Sequence, residues 1–146
     1  MKSARPPVDL ALVAGLFIVA CNPFSDESIE LTAALSGDEA VCEGNTCGGA
    51  GAGIADVEIS SDHHKICWEI SHLTETVGHA TAFHVHSGAR GDEGPVVVDL
   101  RSGNKSCTDV VSESVLRDIS LHPAGFYVDV HSARYTDGAA RGQLGK

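Results

Sequence analysis

Basic side chains are scarce in this sequence. Lys and Arg number 10 against 20 Asp and Glu, for a formal charge of −10 at pH 7. Nucleic-acid binding needs a basic stripe facing the phosphates, and the sequence has none. The same acidic balance favours solubility and attracts cations. Aromatic residues make up 5% of the chain and long helical periodicity is scarce, whereas glycine occurs 16 times. There is no Gly-x-Ser-x-Gly elbow and no local Cys/His arrangement, so nucleophilic catalysis lacks its usual signatures. Gly51-Ala52-Gly53 precedes a strand pattern rather than a helix and is not a phosphate loop. Asp92 and Glu93 in one turn offer too few oxygen ligands for calcium. No internal repeat is visible. Apolar residues are nevertheless spread in strand-length runs, so the chain does not read as disordered, and 146 residues suit one domain.

At the N-terminus, Lys2 and Arg5 precede an apolar run over residues 8–20, broken by Asp9. The run is too short for a comfortable membrane span. It ends Ile18-Val19-Ala20-Cys21, which resembles the bacterial lipobox, where lipid is attached to the cysteine and cleavage falls before it. The resemblance implies a lipoprotein signal peptide over 1–20 and a lipidated Cys21. It implies a polar tether over 21–30 and the membrane as a partner through the anchor. The expected location is the bacterial cell envelope. Asn22 rather than Asp follows the cysteine, which favours the outer membrane or cell surface.

Four further cysteines remain, Cys42, Cys47, Cys67 and Cys107. An even number in an exported domain reads as two disulfides, with three connectivities open. The favoured pairing is Cys42–Cys47, closing a small glycine-containing loop, and Cys67–Cys107, joining a central strand to a distant one. The rival is a metal–thiolate site, although the spacing is not that of a zinc ribbon.

Strict apolar/polar alternation predicts strands over 55–59, 66–70, 80–86 and 126–131, and β-forming runs predict others over 31–35, 96–100 and 140–144. Residues 42–53 and 104–108 read as loop and turn. One helix is expected, with Ser112 as its cap, Val115, Leu116 and Ile119 as its apolar stripe, and Pro123 and Gly125 after its end. About seven short strands and one short helix predict an all-β fold, an antiparallel Greek-key β-sandwich.

Phe83-His84-Val85-His86-Ser87-Gly88 with Gly94-Pro95-Val96-Val97-Val98-Asp99-Leu100, and Pro123-Ala124-Gly125-Phe126-Tyr127-Val128-Asp129-Val130-His131-Ser132-Ala133 with Asp137-Gly138-Ala139-Ala140-Arg141-Gly142-Gln143-Leu144, resemble the CHRD domain. That domain is named for chordin and is frequent in microbial exported proteins. Leu35-Ser36-Gly37 and Cys67-Trp68-Glu69-Ile70 also match, and the resemblance covers 31–146. Residues 42–51 depart from it, with a cysteine-clipped glycine loop where prolines are common. Bacterial members of the family are mostly of unknown function. The resemblance therefore implies a non-enzymatic binding or scaffolding module with an unidentified protein or envelope partner. Growth-factor binding would be an analogy at the level of fold alone.

A second resemblance bears on chemistry. His84-Val85-His86, then His131, then Gly138-Ala139-Ala140-Arg141-Gly142 is similar in order to the copper strand, late copper histidine and glycine–arginine segment of copper,zinc superoxide dismutases. It implies copper as cofactor, His84, His86 and His131 as ligands, and Arg141 as a guide for an anionic substrate. Their zinc loop has no clear counterpart here, and His72 and His79 are the candidates for a fourth ligand. A strand places His84 and His86 on one face, and Asp129 or Asp99 could orient the rings. Two readings stand at this point. The histidines ligate a metal, or they hydrogen-bond to backbone and hold the glycine turn over 87–94. Arg141 likewise either guides an anion, or pairs with Asp129 or Asp137 or with loop carbonyls. His63 and His64 read as solvated turn residues.

Overall fold

Apolar side chains at every second position commit most of this chain to strands with one face buried. In the computed structural model, which describes residues 28–41, 48–49 and 51–146, eight strands result. They are β1 (Ile29–Ser36), β2 (Ala52–Ile59), β3 (Ile66–Ser71), β4 (Ala80–Ser87), β5 (Val96–Arg101), β6 (Lys105–Thr108), β7 (Phe126–Ser132) and β8 (Ala140–Gln143). One α-helix, α1 (Glu113–Leu121), lies between β6 and β7. The expected signal peptide over 1–20, Cys21 and the Cys42–Cys47 pair lie outside the described residues.

All strand pairs are antiparallel, and the order is β5-β4-β7-β8-β1-β2-β3-β6. The outer strands β5 and β6 approach each other, so the single sheet folds over one core and almost closes. β6 beside β3 and β7 beside β4 give the Greek-key interleaving. The all-β antiparallel fold with one short helix is the one expected. Near closure also limits the exposed strand edges that invite association with other chains.

The core is the alternation made solid. Leu31, Ala33 and Leu35 from β1, Val57 and Ile59 from β2, and Phe83 and Val85 from β4 are all buried, as are Val128 and Val130 from β7. Leu116 and Ile119 of α1 and Val77 from the connection over 72–79 complete the packing. At about 25 cal/mol per Å² of apolar surface removed from water, each of the larger of these side chains contributes on the order of 2 kcal/mol. Trp68 is buried with its indole N–H donating to the Gly103 carbonyl at 2.8 Å.

Three local expectations need correction. Residues 105–108 form a strand rather than a turn, because β6 pairs with β3 and places Cys107 directly opposite Cys67. The disulfide Cys67–Cys107 forms there, across 40 residues of chain. The glycine segment ends sooner than expected. Ala52 and Gly53 already pair with Ser36 and Leu35, and a Cβ on Gly53 would lie 2.8 Å from Leu73 Cδ2. Ser112 occupies the helix N-cap position, but its side chain makes no capping hydrogen bond. Its carbonyl accepts from Val115 and Leu116 instead. Among the described residues no helix is long and apolar enough to cross a membrane.

Candidate metal centre

Strands β4 and β7 are neighbours, in a register that sets Ala82 opposite His131, His84 opposite Asp129 and His86 opposite Tyr127. Alternation turns Phe83 and Val85 into the core and His84 and His86 to the other face. On β7, Val128 and Val130 point inward, and Tyr127, Asp129 and His131 share the outer face. The β4–β5 ladder shifts register twice, between Phe83 and His84 and between Val85 and His86. Such irregularities twist a strand locally and re-aim its side chains. The ring centroids of His84 and His131 lie 4.8 Å apart, those of His84 and His86 5.7 Å, and those of His86 and His131 6.5 Å.

Hydrogen bonding fixes which nitrogens are available. His86 Nδ1 lies 2.8 Å from the Gly94 carbonyl, and His131 Nδ1 lies 2.9 Å from the Thr136 carbonyl. A carbonyl only accepts, so both Nδ1 atoms carry the proton and both neutral rings keep a lone pair on Nε2. Those two Nε2 atoms, with His84 Nδ1, are buried and have no hydrogen-bond partner in the protein. One ligand nitrogen from each of the three histidines lies within 4.8 Å of the others. Three such atoms share a point within about 2.8 Å of each, and a histidine–metal bond is about 2.1 Å. An inward shift of about 0.7 Å per nitrogen therefore brings the set to ligation distance. Three imidazoles suit copper or zinc, and carbonyls orienting the far nitrogens are the usual support of a ligating histidine.

The electrostatics favour neutral rings at His84 and His86. Burial lowers the His84 pKa below its ordinary value, and the neighbouring His131 and His86 lower it further. Burial also lowers that of His86, against the hydrogen bond to Gly94, which raises it. Asp129 is 7% exposed, with Oδ1 unpartnered. Loss of water pushes its carboxyl up to about 6, against the pull of His131. Its Oδ2 is 3.8 Å from His131 Nε2.

Behind His86 lies a stack of which the sequence singled out Arg141 alone. The Tyr127 ring lies parallel to His86, and the Arg141 guanidinium lies 3.4 Å from the centroid of the Tyr127 ring. The Gly94 N–H donates to the Tyr127 hydroxyl at 3.2 Å, while the Gly94 carbonyl holds His86. Tyr127 could have been found from its position, since it alternates with Asp129 and His131 on one face. The Gly94 contact has no such signal.

Arg141 is 2% exposed. Its Nη1 and Nη2 donate to the Asp92 and Ala89 carbonyls, each at 2.7 Å, and Gln143 Nε2 reaches the Gly88 carbonyl at 2.7 Å. Of the roles weighed for Arg141, the structure presents the loop-carbonyl one: its guanidinium pins the glycine turn and is withdrawn from the surface. His72 and His79 are exposed and do not join the histidine cluster, and neither do His63 and His64. Asp99 stands opposite His84, is exposed, and accepts from the Arg101 backbone N–H at 2.7 Å.

Fold and site together define an antiparallel β-domain with a cluster of three histidines on the outer face of adjoining strands. Residues 31–144 match the family model of the CHRD domain, and the chain belongs to that family. No curated protein and no solved structure matches the chain.

Proposed function

We propose that this CHRD domain is a non-enzymatic copper-binding module of the bacterial cell envelope, exported and held at the membrane by lipid on Cys21. One observation carries the copper reading. His84 Nδ1, His86 Nε2 and His131 Nε2 are buried, converge, and have no hydrogen-bond partner in the protein. Leaving three buried ring nitrogens unsatisfied costs on the order of 1–3 kcal/mol each, and a metal ion removes that cost. Imidazole ligands in this number suit copper above harder ions. The export reading is supported by the lipobox-like Ile18-Val19-Ala20-Cys21 and by the Cys67–Cys107 disulfide, since such bonds persist in oxidising compartments. Bound copper supplies a Lewis-acidic, redox-active centre. The chain's own residues hold it, fix the two ring tautomers through Gly94 and Thr136, and set Asp129 beside His131.

The test is equilibrium titration of the full chain with copper(II), repeated on His84→Ala plus His131→Ala. Stoichiometric binding by the parent and its loss in the double variant are expected. Equal weak binding by both would remove the metal reading. Cys21→Ala should block maturation of the exported chain, and unaltered processing would remove the anchor.

A further inference from the structure

Two of the three histidines, His86 and His131, meet the surface at a groove of roughly 380 Å³, lined also by Tyr127, Asp129, Glu93 and Asp137 among others. The charged side chains among its described lining residues are of one sign. Glu93 and Asp137 are exposed at the mouth, and Asp129 lies buried in the wall with Oδ1 unpartnered. Among the described residues that line the groove, none is Lys or Arg. Arg141, the cation next to it, is sealed beneath Tyr127 with both terminal nitrogens on loop carbonyls. The nearby Arg90 is paired with Glu39.

A cleft lined by one sign of charge concentrates ions of the opposite sign and speeds their arrival. An anion such as superoxide meets two carboxylates at this mouth, a third in its wall, and no lysine or arginine among the described lining residues. A metal cation meets an attractive field that ends on the buried Nε2 lone pairs of His86 and His131, with His84 Nδ1 beside them. The geometry points to a cation-steering entrance in which Glu93 and Asp137 draw copper to the histidines, so that the ion is the protein's cargo and not the centre of an anion-consuming reaction. This inference rests on the copper reading proposed above.

The test is stopped-flow uptake of copper(II) by the full chain at low and at physiological ionic strength. Two double variants are compared with the parent, each carrying two fewer negative charges. One is Glu93→Gln plus Asp137→Asn. The other is Glu30→Gln plus Glu58→Gln, which neutralises a separate acidic groove far from the histidines in sequence and contact. The parent rate should fall several-fold as salt is added, because exposed charges are screened over about 8–10 Å. The groove variant should take up copper at least about threefold more slowly at low salt, with a flatter salt dependence, and still bind one ion per chain. The distal variant should stay near the parent. Equal rates in the two variants, or a parent rate indifferent to salt, would overturn the steering role while leaving the copper site standing. Fast superoxide decay by the copper-loaded parent, lost in His84→Ala, would overturn the cargo reading. Absence of stoichiometric uptake in the parent would remove the copper reading itself, and this inference with it.

Discussion

Tyr127 lies flat against His86, with ring centroids 4.8 Å apart and planes 11° from parallel. The contact sets the plane of the imidazole, and the Gly94 carbonyl sets its rotation within that plane. Supports of this kind are worth about 10- to 100-fold in metal affinity. Tyr127→Leu should therefore weaken copper binding by at least about tenfold in competition with a chelator of known affinity. Tyr127→Phe keeps the ring, loses only the acceptor for the Gly94 N–H, and should lose less. Equal losses in the two variants would assign the effect to the hydroxyl and not to the stack.

Gly94 joins both sides of this arrangement, and its backbone has no space for a side chain. A Cβ there would lie 1.5 Å from the Ser87 carbonyl oxygen. Gly94→Ala should cost at least about 2 kcal/mol in denaturant unfolding, the range of a forced overpacking, and weaken metal binding as the turn shifts. Gly125→Ala is the control. Nothing lies within 4 Å of a Cβ at that position, so its effect should stay within about 0.5 kcal/mol.

Asp129 gives the metal-free protein a definite pH dependence. Its carboxyl keeps its proton up to about pH 6 in the fold, against an ordinary value of 3.8. Between those values the unfolded chain releases the proton and the folded chain holds it, so this group's contribution to stability falls as pH rises from about 4 to about 6. Metal-free Asp129→Asn should match the parent near pH 4 and exceed it at pH 7, by on the order of 1–3 kcal/mol at 1.36 kcal/mol per pKa unit. His84 and His86 act in the opposite direction. Their depressed pKa values give stability present above 6.5 and lost as pH falls below it. That part is common to both proteins and cancels in the difference between their chemical melts. A constant difference from pH 4 to pH 7 would contradict the assignment to Asp129.

The Cys67–Cys107 bond closes a 40-residue separation between neighbouring strands. In the chain-entropy description, such a loop contributes about 4 kcal/mol by limiting the unfolded state. Cys67→Ala plus Cys107→Ala should lower the unfolding midpoint accordingly and leave copper stoichiometry at the parent's value, because neither cysteine lines the histidine groove. Loss of copper binding in a variant that remains folded would show that the thiols take part in it.

Much of the fold was legible because alternation is a local signal. Phe83 and Val85 inward with His84 and His86 outward follows from period two alone, as does the shared face of Asp129 and His131. The partnership of His84 with His131 is not local. It depends on β7 lying beside β4, which the family motifs and the resemblance to copper strands implied and which no periodicity records. β6 was missed because Lys105-Ser106-Cys107-Thr108 has no apolar alternation. It is a strand through the disulfide and its ladder to β3, with the Lys105–Glu69 ion pair at its edge. Arg141 was ambiguous for a related reason. An arginine's fork suits an incoming anion and a pair of loop carbonyls equally well, and only the approach of residues 89–92 decides which it meets.

The convergence of three histidines on one ion is tested most directly by pulsed electron paramagnetic resonance on the full chain loaded with one equivalent of copper(II). Three coupled imidazoles are expected in the parent. Two should remain in each of His84→Ala, His86→Ala and His131→Ala. A parent spectrum with fewer than three imidazoles, or one that any of these substitutions leaves unchanged, would contradict the three-histidine site.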